Sequence, residues 1–207
     1  THILDLTNAT AGAAEGYSIT STGTGAITGS SGNDIIVDSS GVQDIKGLAG
    51  DDAITLTAGV DSTVVLSATT TGGIDTVTAF TTTDHTIDIL ASGVAGSAGA
   101  DLGSGNYVEN AIGSIAQGTA FDVMVLTGAS YATVALAEDQ VAARMTSATK
   151  GYVIFADSDD STAKMYYDAD LATDNDLTST ATVLTFAGVA NHGAIGAFFA
   201  IGDFDLV

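Results

Sequence analysis

Two residue types keep step along the first third of the chain. Glycine recurs at Gly23, Gly32, Gly41, Gly50 and Gly59, and isoleucine at Ile27, Ile36, Ile45 and Ile54. Both columns have a period of nine residues. The clearest pair of units is GSSGNDIIV from Gly29 and GLAGDDAIT from Gly47. They align Gly29 with Gly47, Gly32 with Gly50, Asp34 with Asp52 and Ile36 with Ile54, at twice the nine-residue period. A repeat this short cannot bury an apolar face alone, so it predicts stacked units with capped ends.

The frames read as a degenerate form of G-G-x-G-x-D-x-U-x and resemble the RTX, or haemolysin-type, nonapeptide. That resemblance implies a parallel β-roll in which each nonapeptide is half a coil: a calcium-binding turn, then a short strand. Isoleucine would point between the two sheets, and glycine would let the turn reach positive φ and bring carbonyls near a cation. Two nonapeptides complete a coil, so Asp34 and Asp52 are expected on one side, one coil apart. The resemblance implies a Ca2+ site there. Its carboxylates would come from Asp34 and Asp52, and its turn oxygens from Gly29, Ser31, Asn33, Gly47, Ala49 and Asp51. The opposite column would hold Gly25, Gln43 and Asp61, with at best a weaker site. Asp75, in GGIDTV, repeats part of the unit out of phase and joins the candidate ligands. Ser30 and Leu48 replace the second glycine, and Gln43 replaces an aspartate, so the roll is short and degraded.

Composition fits this reading. The chain of 207 residues carries 25 acidic against 4 basic side chains, a net charge of -21. Glutamate occurs only at Glu15, Glu109 and Glu138, so nearly all the acid is aspartate, which suits turns and hard-cation loops. Nucleic acid is a poor partner, because phosphate binding needs more than Lys46, Lys150, Lys164 and Arg144. Hydrophobic residues make up 45%, too many for an acidic disordered chain. The absence of cysteine removes disulfides, Cys-ligated zinc and iron–sulfur clusters. No apolar run approaches a membrane span, and the start, THILDLTNATAGAAEG, has no secretion-signal pattern.

The fold class expected is mainly all-β: a short calcium-binding parallel β-roll, then a β-rich C-terminal unit with one helix. Residues 1–90 would hold an N-terminal strand and the roll, ending in strands around Val77, Phe80, Ile87 and Ile89. His85 is expected as an exposed turn residue. Residues 91–120 are rich in Gly, Ala and Ser and read as loop, with Tyr107 a conceivable assembly contact. In residues 121–207, FDVMVLTG alternates as a strand and Ser130 is placed to cap the following turn. The spacing of Val134, Leu136, Val141, Ala142 and Met145 predicts the only helix, ended near Gly151. The runs YVIFAD, AKMYYDAD, ATVLTFAGV and FFAIGDFDLV read as strands. This region, with its end Asp203, Phe204, Leu206 and Val207, resembles the C termini of secreted RTX proteins, which carry an uncleaved type I export signal. Asp157, Asp159, Asp160, Asp168, Asp170, Asp174 and Asp176 are either a further calcium loop or solvated turns. Their spacing is not that of an EF-hand.

No catalytic motif is present. His2, His85 and His192 lie in no H-E-x-x-H, and there is no G-x-S-x-G, P-loop or cysteine nucleophile. The chain is therefore not expected to be an enzyme. The first reading is a secreted calcium-binding structural protein at the cell surface. It would be exported by type I machinery and self-assemble into a layer, filament or matrix of like copies. The alternative is the calcium-binding and export module of a larger secreted enzyme or adhesin, which upstream coding sequence would reveal.

Overall fold

The computed structural model describes residues 2–9, 15–41, 43–66, 72–89, 107–114, 121–145, 150–171, 180–189 and 191–207. The repeat region forms short strands that alternate between two sheets. β1 (His2–Asp5), β3 (Gly25–Thr28), β5 (Gln43–Lys46), β7 (Ser62–Val65) and β9 (His85–Ile89) lie side by side in one sheet. β2 (Ser18–Ser21), β4 (Ile35–Asp38), β6 (Ala53–Thr55) and β8 (Asp75–Thr78) lie in the other. Every neighbouring pair among them is parallel.

The nine-residue period produces this arrangement directly. Each unit contributes one turn and one strand, so successive units alternate sheets. In the first sheet Leu4, Ile27, Ile45, Val64 and Ile87 are in register. In the second, Ile19, Ile36, Ile54 and Val77 are. Apart from Leu4 at the end of its row, these side chains are buried, and together they make the core between the sheets. Parallel strands of three to five residues have little stability singly, so the stacked β-branched rows hold the coil.

The remaining strands extend both sheets. β10 (Tyr107–Asn110), β11 (Val123–Tyr131), β12 (Gly151–Asp157), β13 (Thr162–Asp168) and β14 (Thr180–Ala187) continue the second sheet to nine strands in the order β10-β11-β12-β13-β14-β8-β6-β4-β2. β12, β13 and β14 are antiparallel, so YVIFAD does pair with AKMYYDAD. β14 meets β8 in parallel. β15 (Phe204–Leu206) pairs with β9 and closes the first sheet at six strands. Sequence segments 1–90 and 121–207 therefore share both sheets and one core.

β12 is buried at every residue because both its faces are covered, which explains its unbroken apolar run. On one face Met124, Leu126, Val153, Phe155 and Tyr166 pack with Ala137 and Val141 of α1 (Val134–Ala142). On the other, Val125, Ile154 and Met165 share the main core with Ile195 of α2 (His192–Phe198) and with Phe199.

Several local expectations need correction. There are two helices among the described residues, not one. α1 is capped by the Thr133 hydroxyl, which accepts the Leu136 N–H at 3.3 Å, and it stops at Ala142 rather than near Gly151. Ser130 lies in β11 instead, where its hydroxyl accepts the His192 N–H at 3.0 Å and ties α2 to the sheet. The FFAIGDFDLV run is a strand only at Phe204–Leu206, since Phe198 ends α2 and Ile201–Asp203 is a 3-10 turn. Within the expected loop, Tyr107–Asn110 is a strand, and Tyr107 packs on the core with its ring centroid 6.1 Å from that of Phe204. A 3-10 turn follows at Ile112–Ser114, and residues 91–106 and 115–120 lie outside the described residues.

Candidate metal centre

On one side of the coil the turns before β4, β6 and β8 stack. Each delivers an aspartate to the same place: Asp34, Asp52 and Asp75. The first step is 18 residues, as the repeat requires, and the second is 23, because extra residues enter the chain before β8. The sequence saw Asp75 as out of phase, whereas the fold returns it to the stack.

These carboxylates run as a ladder. Oδ1 of Asp52 accepts the Asp34 N–H at 2.8 Å, and Oδ1 of Asp75 accepts the Asp52 N–H at 3.1 Å. Oδ1 of Asp34 accepts the Tyr17 N–H at 2.5 Å, and its Oδ2 accepts the Ser30 N–H at 2.6 Å. The Ser30 hydroxyl lies against both oxygens of Asp34, so serine at this repeat position adds a donor that glycine would lack. Asp34 and Asp52 are each 1% exposed. Oδ2 of Asp52 is buried and has no hydrogen-bond partner among the described residues.

Glycine is required beside them. A Cβ on Gly29 would stand 2.4 Å from Oδ2 of Asp34 and 2.5 Å from the Gly47 carbonyl oxygen. A Cβ on Gly47 would stand 1.9 Å from Oδ2 of Asp52. The missing side chains thus leave room that carboxylate and carbonyl oxygens border. Leu48, which follows Gly47, takes φ of 82°, a left-handed conformation costing a non-glycine residue roughly 1–2 kcal/mol. Ser30, at the same place in the preceding unit, has no positive φ, so the two turns differ there.

A second row runs alongside. Asn33 Oδ1 accepts the Asp51 N–H at 3.0 Å, and Asp51 Oδ1 accepts the Ile74 N–H at 2.9 Å. Asn33 and Asp51 are exposed. Ser31, exposed, and Ala49, half-buried, occupy equivalent places in the same two turns.

The stack is electrostatically loaded. Burial, reinforced by the charges of Asp34 and Asp51, pushes Asp52 up to about 6 even though the Asp34 N–H pulls it down. Burial, with Asp52 and Asp51 nearby, pushes Asp75 up to about 7. No group of three or more His, Asp or Glu side chains among the described residues is placed to hold a metal alone. A cation here would take carboxylate oxygens from the stack and the rest of its shell from turn carbonyls, a donor set suited to a hard ion. The unpartnered oxygen of Asp52 and the glycine cradle fit such an ion.

The opposite turns differ. Gly25 and Gln43 are in register as expected. The next step is 19 residues, so Ser62 and not Asp61 follows Gln43, and His85 follows Ser62. Asp61 is exposed and outside the column. His85 is 2% exposed rather than a surface turn residue. Its Nδ1 accepts the Thr81 N–H at 2.9 Å, and its Nε2 lies 3.2 Å from the Thr57 carbonyl, to which it donates. The backbone uses both ring nitrogens, so His85 is a structural residue of the turn. The Gln43 side-chain amide donates to the Gly23 carbonyl.

The Asp-rich turns of the antiparallel region bond within themselves. Asp157 pairs with Lys164 and accepts the Asp159 N–H at 2.8 Å. Asp160 accepts the Thr162 N–H at 3.1 Å, and Asp168 the Asp170 N–H at 2.8 Å. Asp174 and Asp176 lie outside the described residues. Among the described residues no helix is long and apolar enough to cross a membrane.

No family model matches the chain, and neither a curated protein nor a solved structure matches it.

Proposed function

We propose that this chain is a calcium-binding structural protein of the cell exterior that assembles with copies of itself. Its repeat resembles that of secreted RTX proteins. The observation that carries the reading is the stack of buried Asp34, buried Asp52 and half-buried Asp75, with one oxygen of Asp52 unpartnered. Like charges crowded in one row, two of them buried, oppose folding, so a divalent cation that binds only the folded row converts binding energy into folding energy. Asp34 and Asp52 would supply the carboxylates, with Asp75 one coil further along the row. The carbonyls of Gly29, Ser31, Asn33, Gly47, Ala49 and Asp51 would complete the shell.

Assembly is supported by the end of the first sheet. β1 is its terminal strand, with Ile3 75% exposed and Leu4 39% exposed. An apolar strand edge of this kind accepts another strand. A chain that folds only in millimolar calcium would stay export-competent inside the cell and assemble outside it.

The test is a calcium titration of EDTA-treated protein followed by circular dichroism and light scattering. Both signals should rise together with calcium. A chain already folded in EDTA, with neither signal responding, would overturn the proposal. Deleting residues 1–6 should spare the folding signal and abolish the scattering.

A further inference from the structure

The first sheet starts at β1 and ends at β15, and no described strand pairs with the outer edge of either. The two edges fit each other. Every neighbouring pair in this sheet is parallel, so β1 and β15 run in one direction. Leu6 donates its N–H to the Thr28 carbonyl at 3.0 Å. Backbone groups alternate along a strand, so Leu4 and Leu6 face β3, while Ile3 and Asp5 face outward. Gly29 repeats this phase one strand on, with its N–H on the Lys46 carbonyl at 2.8 Å. At the far end Val207 donates its N–H to the Ile89 carbonyl at 3.0 Å. Asp205 therefore faces β9 as well, and Phe204 and Leu206 face outward.

We infer that β1 of one copy adds to β15 of the next, in parallel and head to tail, so that the sheet runs on through a filament. This rests on the assembly reading above and names the surface that receives β1. The register is the one the roll already uses. Leu4 lies against Phe204 as Ile27 lies against Ile45. The Asp5 N–H then meets the Phe204 carbonyl, and the Leu206 N–H meets the Asp5 carbonyl. The inward row of Leu4, Ile27, Ile45, Val64, Ile87 and Phe204 continues into Leu4 of the next copy. Leu4 is 39% exposed, and Leu6 and Leu206 are half-buried against the core, so the joint covers apolar surface at both ends. Tyr107 meets the Phe204 ring within the core and leaves the β15 edge unpaired. Pairing β1 with β1 about a two-fold axis would be antiparallel and would leave β15 uncovered. A contact between unlike surfaces that continues a roll along its own axis has no closed end, so it grows as a filament. Charge opposes the joint: Asp5 falls beside Asp205, itself in register with Asp88. Wild-type assembly in calcium should therefore strengthen with ionic strength.

The chain has no cysteine, so introduced thiols report the joint alone. Asp5 and Asp205 are exposed, and in this register their Cα atoms stand about 4.8 Å apart, within disulfide reach. Full-length Asp5→Cys and Asp205→Cys proteins are mixed in calcium and oxidised. The mixed disulfide should dominate over either like pair, and the double variant should give a ladder of covalent multimers on denaturing gels. Leu206→Pro removes an edge N–H that β9 does not use, so it should fold in calcium yet lose the light scattering. Scattering that rises with calcium while Asp5→Cys links only to itself, or while Leu206→Pro scatters like the wild type, overturns the head-to-tail joint and leaves assembly standing. So does wild-type assembly that weakens as salt is added. Scattering that never rises in the wild type overturns assembly itself, and the joint with it.

Discussion

The two turns of each coil descend from the same nine-residue unit, yet they stack in different ways. On one side Asp34, Asp52 and Asp75 repeat a carboxylate at each level, joined by bonds from the backbone of one coil to the side chain of the next. On the other, Gly25, Gln43, Ser62 and His85 present a different group at each level, and each is satisfied locally. Identical charges in one row gain from a shared cation, while a mixed row whose members are satisfied locally needs none. The repeat therefore specifies the coil, and the residue at its sixth position specifies what each side of the coil can bind.

Damage to the shared core should have the largest effect and should not distinguish the two sides. Ile45→Ala removes a fully buried side chain from a row between tightly paired strands. It should cost about 2–5 kcal/mol in denaturant unfolding with calcium present. A smaller loss would mean that the coil is not the stable part of the molecule.

The glycines of the two turns come next. Gly47→Ala forces a Cβ onto Asp52 and should cost about 1–3 kcal/mol and sharply weaken calcium binding. Gly59→Ala lies in an opposite turn with open space around it, and only its φ of 82° resists a side chain. It should cost roughly 1–2 kcal/mol and leave calcium affinity unchanged. Equal effects of the two on calcium binding would erase the distinction between the sides.

The pH response should be smaller still but opposite in sign with and without calcium. Asp52 and Asp75 have pKa values raised in the fold, so folding takes up protons between about pH 4 and pH 7. In EDTA, stability should fall as pH rises through that window. In calcium, which requires ionised carboxylates, it should rise. Asp203 is also pushed up to about 6 by burial and adds to the EDTA trend. It lies outside the stack, so Asp52→Asn and not Asp203→Asn should blunt the calcium effect. Circular dichroism at pH 5 and pH 7.5 reads the folded fraction in EDTA, and thermal melts at the same two pH values read the calcium arm.

The sequence made the coil legible wherever the period was kept. Gly29, Asp34, Ile36 and their partners 18 residues on sit where the alignment puts them. Legibility failed where the step changed. The 19-residue step hid Ser62 behind Asp61, and the 23-residue step made Asp75 look displaced. Hydrogen bonding of the backbone ladder, not the count of residues, restores the register. His85 was misjudged because its neighbours are threonines and an aspartate, while its burial follows from strand β7 pairing beside it. α2 was missed because Gly193 and Gly196 are poor helix formers. Packing explains one of them: a Cβ on Gly196 would stand 2.6 Å from Oε1 of Glu109. The strand at Tyr107–Asn110 was hidden by its glycine-rich surroundings and is drawn into the sheet by β11.

Calorimetric titration of calcium into the wild type, Asp52→Asn and Asp61→Asn tests the central claim most directly. The aspartate stack predicts calcium binding in the wild type, an affinity at least about tenfold weaker in Asp52→Asn, and no change in Asp61→Asn, whose side chain is exposed and out of the column. Equal calcium binding by all three proteins, or none by the wild type, would contradict it.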